Sequence, residues 1–296
     1  MPLPGLGQIC ALSCAVAWSF AVILLRRSGE TLPAFELNLV KNLLGFLLLI
    51  PTIAVTIGLD WPAYPAKEVF ISLLSGFLGI AVADTWYLRA LNLMGASRTA
   101  IVASLFSPFV IMLSVTFLDE RLAGWQFAGF VVVMAGILLV NWSRNPAGVD
   151  AANLRKGILY AASGVFLMAV GIVMVKEILE SRPFLWTVEL RLLGGVGGML
   201  IYAGIRRRWA SMKAHFRKPQ PWLWILAGGF LSSYLSMLFW LAGYKLIPAS
   251  QASVLNESAA AWIVLFAWLF LKESISVRKV AGLLLTFSGV VLMLLV

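Results

Sequence analysis

Apolar residues run through this chain in long blocks, and polar residues collect in the short gaps between them. About 20 consecutive apolar residues cross a lipid hydrocarbon core as one helix. Closing each block at Gly, Pro or a charge cluster predicts ten spans, at 6-25, 34-57, 68-91, 98-117, 124-142, 157-179, 184-204, 222-246, 250-271 and 278-296. A helix satisfies its own backbone in hydrocarbon, so the expected fold class is an all-α integral membrane protein with ten transmembrane helices. The gaps are short, as antiparallel neighbours require, and none can hold a core of its own.

The blocks also repeat. A shift of 150 pairs Gly7 with Gly157, Ala11 with Ala161, Ser13 with Ser163, Glu30 with Glu180, Pro33 with Pro183 and Gly45 with Gly195, and sets Lys41 against Arg191. Past residue 60 the shift becomes 153, pairing Gly76 with Gly229, Phe77 with Phe230, Glu120 with Glu273 and Gly136 with Gly289. The chain therefore reads as two copies of a five-helix unit, 1-146 and 147-296. Five is odd, so the second copy enters the membrane from the opposite side, giving two inverted five-helix repeats. Secondary transporters use this architecture, with the substrate near the midplane between the copies and alternating access by rocking.

Composition agrees: 61% hydrophobic, 12% charged, mean hydropathy +0.94. The net charge of +10 does not imply nucleic acid, because the basic residues fall in the gaps instead of forming a stripe. They read as orientation signals. Arg26, Arg27, Arg206, Arg207, Arg208, Lys213, Arg217 and Lys218 all follow odd-numbered spans, which the positive-inside rule places in the cytoplasm with both termini outside. The first block lacks a basic leader and precedes Arg26 and Arg27, so it reads as a retained helix and not a signal peptide. Cys10 and Cys14 share one helical face and read as small core residues. His215 is the single histidine, which leaves little material for zinc or His-based catalysis. No G-x-x-x-x-G-K loop occurs, which disfavours ATP-driven transport, and no cofactor is expected.

Ionisable groups at membrane depth cost roughly 2.5 to 3.5 kcal/mol each on insertion scales, so each needs a partner or a cavity. Lys41 and Asp84 fall about seven residues from the same face and are expected to pair. The same count pairs Arg191 with Glu257 near the opposite face. Such pairs either lock helices together or line a cavity, where a carboxylate takes an amine or a proton and a cation takes a carboxylate. Glu257, beside Asn256 and Ser258, is the strongest single candidate, and Ser104 is its counterpart in the first copy. Asn38 and Asn42 flank Lys41 on one polar stripe, which interhelical bonding explains as well as ligand contact does. Glu36 and Glu189 lie nearer span ends and are assigned structural roles. Trp18, Tyr87, Tyr234 and Trp240 are deep aromatics that pack the core or wall a planar substrate; Ser232, Ser233 and Ser236 add hydroxyls. Pro108, mid-span, predicts a kink. Carboxylates near opposite faces disfavour a convergent catalytic set, so no enzyme is expected; staggered pairs disfavour a continuous pore. An uncoupled facilitator stays open beside an active carrier.

Family resemblance rests on Ala90-Leu91 through Ala96-Ser97, Pro108, then Leu118-Asp119-Glu120-Arg121-Leu122 with Gln126, Gly129 and Gly136. The second copy reads Ala249-Ser250, then Leu271-Lys272-Glu273-Ser274-Ile275 with Gly282 and Gly289. In this order and duplication they resemble the ten-helix EamA-type members of the drug/metabolite transporter superfamily, over essentially the whole chain. The resemblance implies a bacterial inner-membrane exporter or exchanger of a small metabolite such as an amino acid, aromatic ones included. Its partners would be that small molecule and the lipid bilayer, with protons as a candidate coupling ion. The fifth and tenth spans would be peripheral. Two departures stand out. The gap after span two reads Leu59-Asp60-Trp61-Pro62 where the family has an arginine-rich connection and termini in the cytoplasm. The first span also carries no acidic residue, unlike that of the four-helix multidrug relatives.

Overall fold

A computed structural model describes residues 5–94, 99, 102–141, 150–271 and 277–294. Ala96-Ser97, Trp142 and the Lys272-to-Ile275 motif lie outside them. The described residues are helical, with no strand among them. In chain order the helices are α1 (Leu6–Ser28), α2 (Ala34–Thr56), α3 (Ala66–Met94), α4 (Phe106–Phe117), α5 (Gly124–Asn141) and α6 (Ala151–Ser181). There follow α7 (Phe184–Ile205), α8 (Trp209–Arg217), α9 (Trp222–Leu246), α10 (Ala249–Glu257), α11 (Ala259–Leu271) and α12 (Val277–Leu294). Six of them, α1, α2, α3, α6, α7 and α9, are long and apolar enough to cross a membrane. α4, Gly124–Leu139 within α5 and Val280–Leu292 within α12 are shorter apolar helices.

Three features depart from ten uninterrupted rods. The ninth expected span is two helices, α10 and α11, parted by a turn at Ser258. The fourth has a turn at Ser104 and Leu105 before α4 begins. Pro108 is accordingly no mid-helix kink: it occupies the first turn of α4, where a missing N–H costs nothing. The basic gap at 206–218 also folds locally as α8. Its docking point is Glu36 at the start of α2, whose Oε1 lies 3.2 Å from Arg208 Nη2 and 3.3 Å from His215 Nδ1.

α3 and α9 each carry a π-helical segment, Phe77–Ala83 and Phe230–Ser236. These segments are 153 residues apart, the offset read from the sequence. Each extra residue in a π turn re-aims the side chains that follow it. Around them the helices cross at glycine. A Cβ on Gly76 would overlap the backbone of Arg191, and one on Gly45 the carbonyl of Ser233. The same two crossings recur at the repeat offsets: Gly229 would meet Lys41 Cα at 3.2 Å, and Gly195 would meet Ile80 Cγ2 at 2.6 Å. α2 is thus pressed against α9, and α7 against α3.

α5 and α12 pack on each other through small residues, since a Cβ on Gly289 would lie 2.7 Å from Val133 N. Contacts also gather the connections by face. Tyr64 donates to the Pro183 carbonyl at 3.0 Å, Arg182 pairs with Glu68, and Glu120 accepts from the N–H groups of Ala249 and Ser250 at 2.6 and 2.9 Å. All of these join connections that follow even-numbered spans, whereas Glu36 and α8 lie at the opposite end.

Candidate functional site: a charged cavity between the halves

A cavity of about 160 Å³ lies at the centre of the helices. One water needs about 10–15 Å³ on this measure, so it has room for roughly ten waters or a small metabolite. Helices from both halves wall it: α1, α2, α3, α4, α6, α7, α9, α10 and α11. Neither α5 nor α12 contributes a described residue, in keeping with a peripheral place for both.

The wall is mostly apolar and, among the described residues, carries two acidic and two basic side chains: Lys41, Asp84, Arg191 and Glu257. Lys41, 1% exposed, leaves α2 beside Gly229 and reaches Asp84 Oδ2 at 2.6 Å. Asp84 is the first residue after the π segment of α3, which turns it inward. This is the pair expected from equal depth.

The second expected pair is absent. Arg191, also 1% exposed, donates from Nη1 to Ser75 Oγ and to the Gly171 carbonyl at 3.2 Å. Its Nε is buried with no partner, and its guanidinium lies 5.7 Å from the Trp240 ring centroid. Among the described residues it makes no ion pair. Glu257 instead accepts from the N–H and Oγ of Ser107, both at 3.2 Å. The physical reason is packing: α10 lies against α4, which brings the Glu257 carboxylate to the first turn of α4. Nor do the two carboxylates stand at opposite faces: Asp84 and Glu257 line the same cavity.

The other candidates divide. Trp18, Tyr87, Trp240 and Asn256 line the cavity. Trp18 and Tyr87 tilt against each other at 6.0 Å, and Asn256 donates back to the Ala252 carbonyl at 2.9 Å, leaving its Oδ1 without a partner. Asn38, Asn42, Ser104 and Tyr234 are not in the wall. Asn38 donates to the Ile80 carbonyl at 2.7 Å and to Thr85 Oγ1 at 2.9 Å; Asn42 donates to Asn38 Oδ1 at 2.8 Å and accepts from Ser233 Oγ at 2.9 Å. Both asparagines therefore splice helices together beneath Lys41. Tyr234 bonds Thr52 at 2.6 Å and stacks on Phe230, and Ser104 is buried at the turn before α4. Sequence reasoning missed Ser75 and Ser107, the hydroxyls that hold Arg191 and Glu257. A Ser-Pro step at 107–108 was the available signal for the second. It also missed that Cys14 faces the cavity, 3.3 Å from Ser236 Oγ.

Such a cavity, apolar with a few buried charges and shared by two sets of helices, is what a carrier needs. The model of the EamA-like transporter family matches residues 5–142 and again 155–295. The chain belongs to the EamA-like transporter family. An uncharacterized transporter of Archaeoglobus fulgidus is 20% identical over 97% of this chain and 97% of its own length. The uncharacterized transporter YetK of Bacillus subtilis is 18% identical, over 96% of this chain and 86% of its own. A protein of solved crystal structure, 19% identical, superposes with a TM-score of 0.75 over 97% of this chain and 94% of that one. This EamA-like protein shares its fold with that structure, and it is a multi-pass membrane transporter.

Proposed function

We propose that the protein is a secondary transporter or exchanger, and not an enzyme, that exports a small zwitterionic metabolite by alternating access. Amino acids, aromatic ones included, are the first candidates. One observation carries this reading. A single apolar cavity presents a guanidinium, Arg191, and a carboxylate, Glu257, neither of which has an ionic partner among the described residues. A buried charge without a counter-ion is costly, and a zwitterion supplies both missing partners at once. Trp240, beside Arg191 and 6.3 Å from Phe106, provides an apolar plate between them.

Ten spans in two inverted repeats, 1-146 and 147-296, support the alternating-access part. The repeated π segments and the repeated glycine crossings favour this division, as does the double match of the family model. A bacterial inner membrane is the proposed location, with the bilayer as solvent and protons as a candidate coupling ion. The test is counterflow: purified protein in liposomes, preloaded with one amino acid and given radiolabelled tracer, with no gradient imposed. Saturable uptake of one amino-acid class, lost in Arg191→Ala, is the expected result. No uptake with any amino acid, from protein shown to be folded, would sink the substrate assignment.

A further inference from the structure

Glu257 occupies a second position besides the cavity wall. It is the last residue of α10, and its Oε1 accepts from both donors of Ser107, the second residue of α4. The first N–H groups of a helix have no intrahelical acceptor, and the partial positive charge there attracts a carboxylate. Both elements stop or start at a break inside the molecule: Ser104 and Leu105 in one half, Ser258 in the other. One carboxylate therefore bridges two broken helices that belong to different halves.

We propose that Glu257 is a clasp which the positive charge of the cargo opens. Ser107 holds Oε1 and leaves the other carboxylate oxygen to an ammonium group, but both draw on one negative charge, so loading the cavity loosens the junction between the halves at their two turns. This inference rests on the transport reading above and deepens it. The competition follows from charge: a hydrogen bond to an ionised acceptor draws its strength from the full negative charge. In the empty cavity the start of α4 is what compensates Glu257. The cations nearby are committed elsewhere, Lys41 to Asp84 and Arg191 to Ser75 and Gly171. An arriving ammonium takes over the compensation, and Ser107 loses its hold. Ser107 is in this scheme a positioning residue that never touches the cargo. Pro108, with no N–H to offer, leaves Ser107 as the donor next to the break.

Spin labels at Val115→Cys on α4 and Leu269→Cys on α11, both lipid-facing positions, report the junction by pulsed distance measurement, because Cys10 and Cys14 are buried. Two probes of one carbon skeleton separate the charges: isopentylamine and 4-methylpentanoate. The amine is expected to shift the distance distribution of the native protein, and the acid is not. Ser107→Ala keeps the backbone N–H and loses the hydroxyl, so it should move part-way to the shifted distribution without any probe; Ser107→Thr should behave as native, and Glu257→Gln should ignore the amine. In binding, Ser107→Ala should tighten half-saturation for the amine by roughly tenfold, the low end of what losing one hydrogen bond to a charged group is worth, with no change for the acid. Identical distributions for native and Ser107→Ala, with and without amine, would overturn the clasp, as would equal shifts from amine and acid. These distances need no transported substrate, so failure of counterflow and failure of the clasp are separate results.

Discussion

Lys41 and Arg191 occupy equivalent places in the two halves, yet Lys41 closes on Asp84 at 2.6 Å while Arg191 closes on a hydroxyl and a carbonyl. One cation has an ionic partner; the other, among the described residues, has only hydrogen-bond acceptors. Their roles should separate under mutation.

Lys41→Ala and Asp84→Ala each leave a buried charge unpaired, which typically costs about 3–5 kcal/mol. Thermal unfolding in detergent should show both singles well below native and the double variant recovering most of the loss. Transport should stay impaired in the double, since two cavity walls have changed. Full recovery of counterflow would make the pair a pure helix lock.

Arg191→Lys keeps the charge but loses the planar fork and the stacking on Trp240. Counterflow of a carboxylate-bearing substrate should fall at least tenfold, roughly the worth of one charge-assisted hydrogen bond. An unchanged half-saturation would show that Arg191 does not meet the cargo.

Gly76→Ala and Gly197→Ala form a matched test of packing. The first drives a methyl into the Arg191 backbone, whereas nothing lies within 4 Å of a Cβ on the second. Overpacking at the first should cost about 1–3 kcal/mol or more. The second should be neutral or stabilising by up to about 1 kcal/mol through helix propensity. Melting temperatures decide it.

Glu36→Gln weakens what holds α8. Glu36 is fully buried while Arg208 and His215 are about a third exposed, so losing its charge should cost about as much as a hydrogen bond to a charged group, about 1.5–3 kcal/mol, and lower the melting temperature. Amide exchange across residues 209–217 should rise with it, because Arg208 and His215 share this one oxygen. Unchanged exchange would mean that Met212 and its apolar neighbours seat the helix alone.

Orientation has its own test. Ser211→Cys places an exposed thiol on α8 in a chain whose own cysteines are buried. An impermeant maleimide should label it after permeabilisation and leave it untouched in intact cells. Labelling from outside would reverse the orientation drawn from charge.

The Lys41 and Asp84 pair was legible because both counts run along regular α-helix, forward from the start of α2 to Lys41 and back from the end of span three to Asp84, which stands just past the π segment. The same arithmetic failed for Arg191 and Glu257. It gave Glu257 a depth but not a neighbour: α10 packs on α4, which brings the carboxylate to Ser107. Tyr234 failed for a related reason. A π turn changes register, and each residue of shift rotates a side chain by about 100°, here towards Thr52 and away from the cavity. The α8 helix was hidden by its charge: Trp209, Met212 and Phe216 have helical spacing, but six basic residues around them read as an orientation signal. The repeat, in contrast, was visible because glycines at close crossings tolerate no other residue.

Those crossings carry a mechanical consequence. A Cβ on Gly76 would overlap Arg191 and one on Gly229 would come within 3.2 Å of Lys41 Cα, so the two close crossings stand as a matched set. Helices that touch backbone to backbone cannot slide past each other without first separating. In the proposed rocking of one half on the other, such crossings would act as pins, and Lys41 and Arg191, rooted at them, would move least.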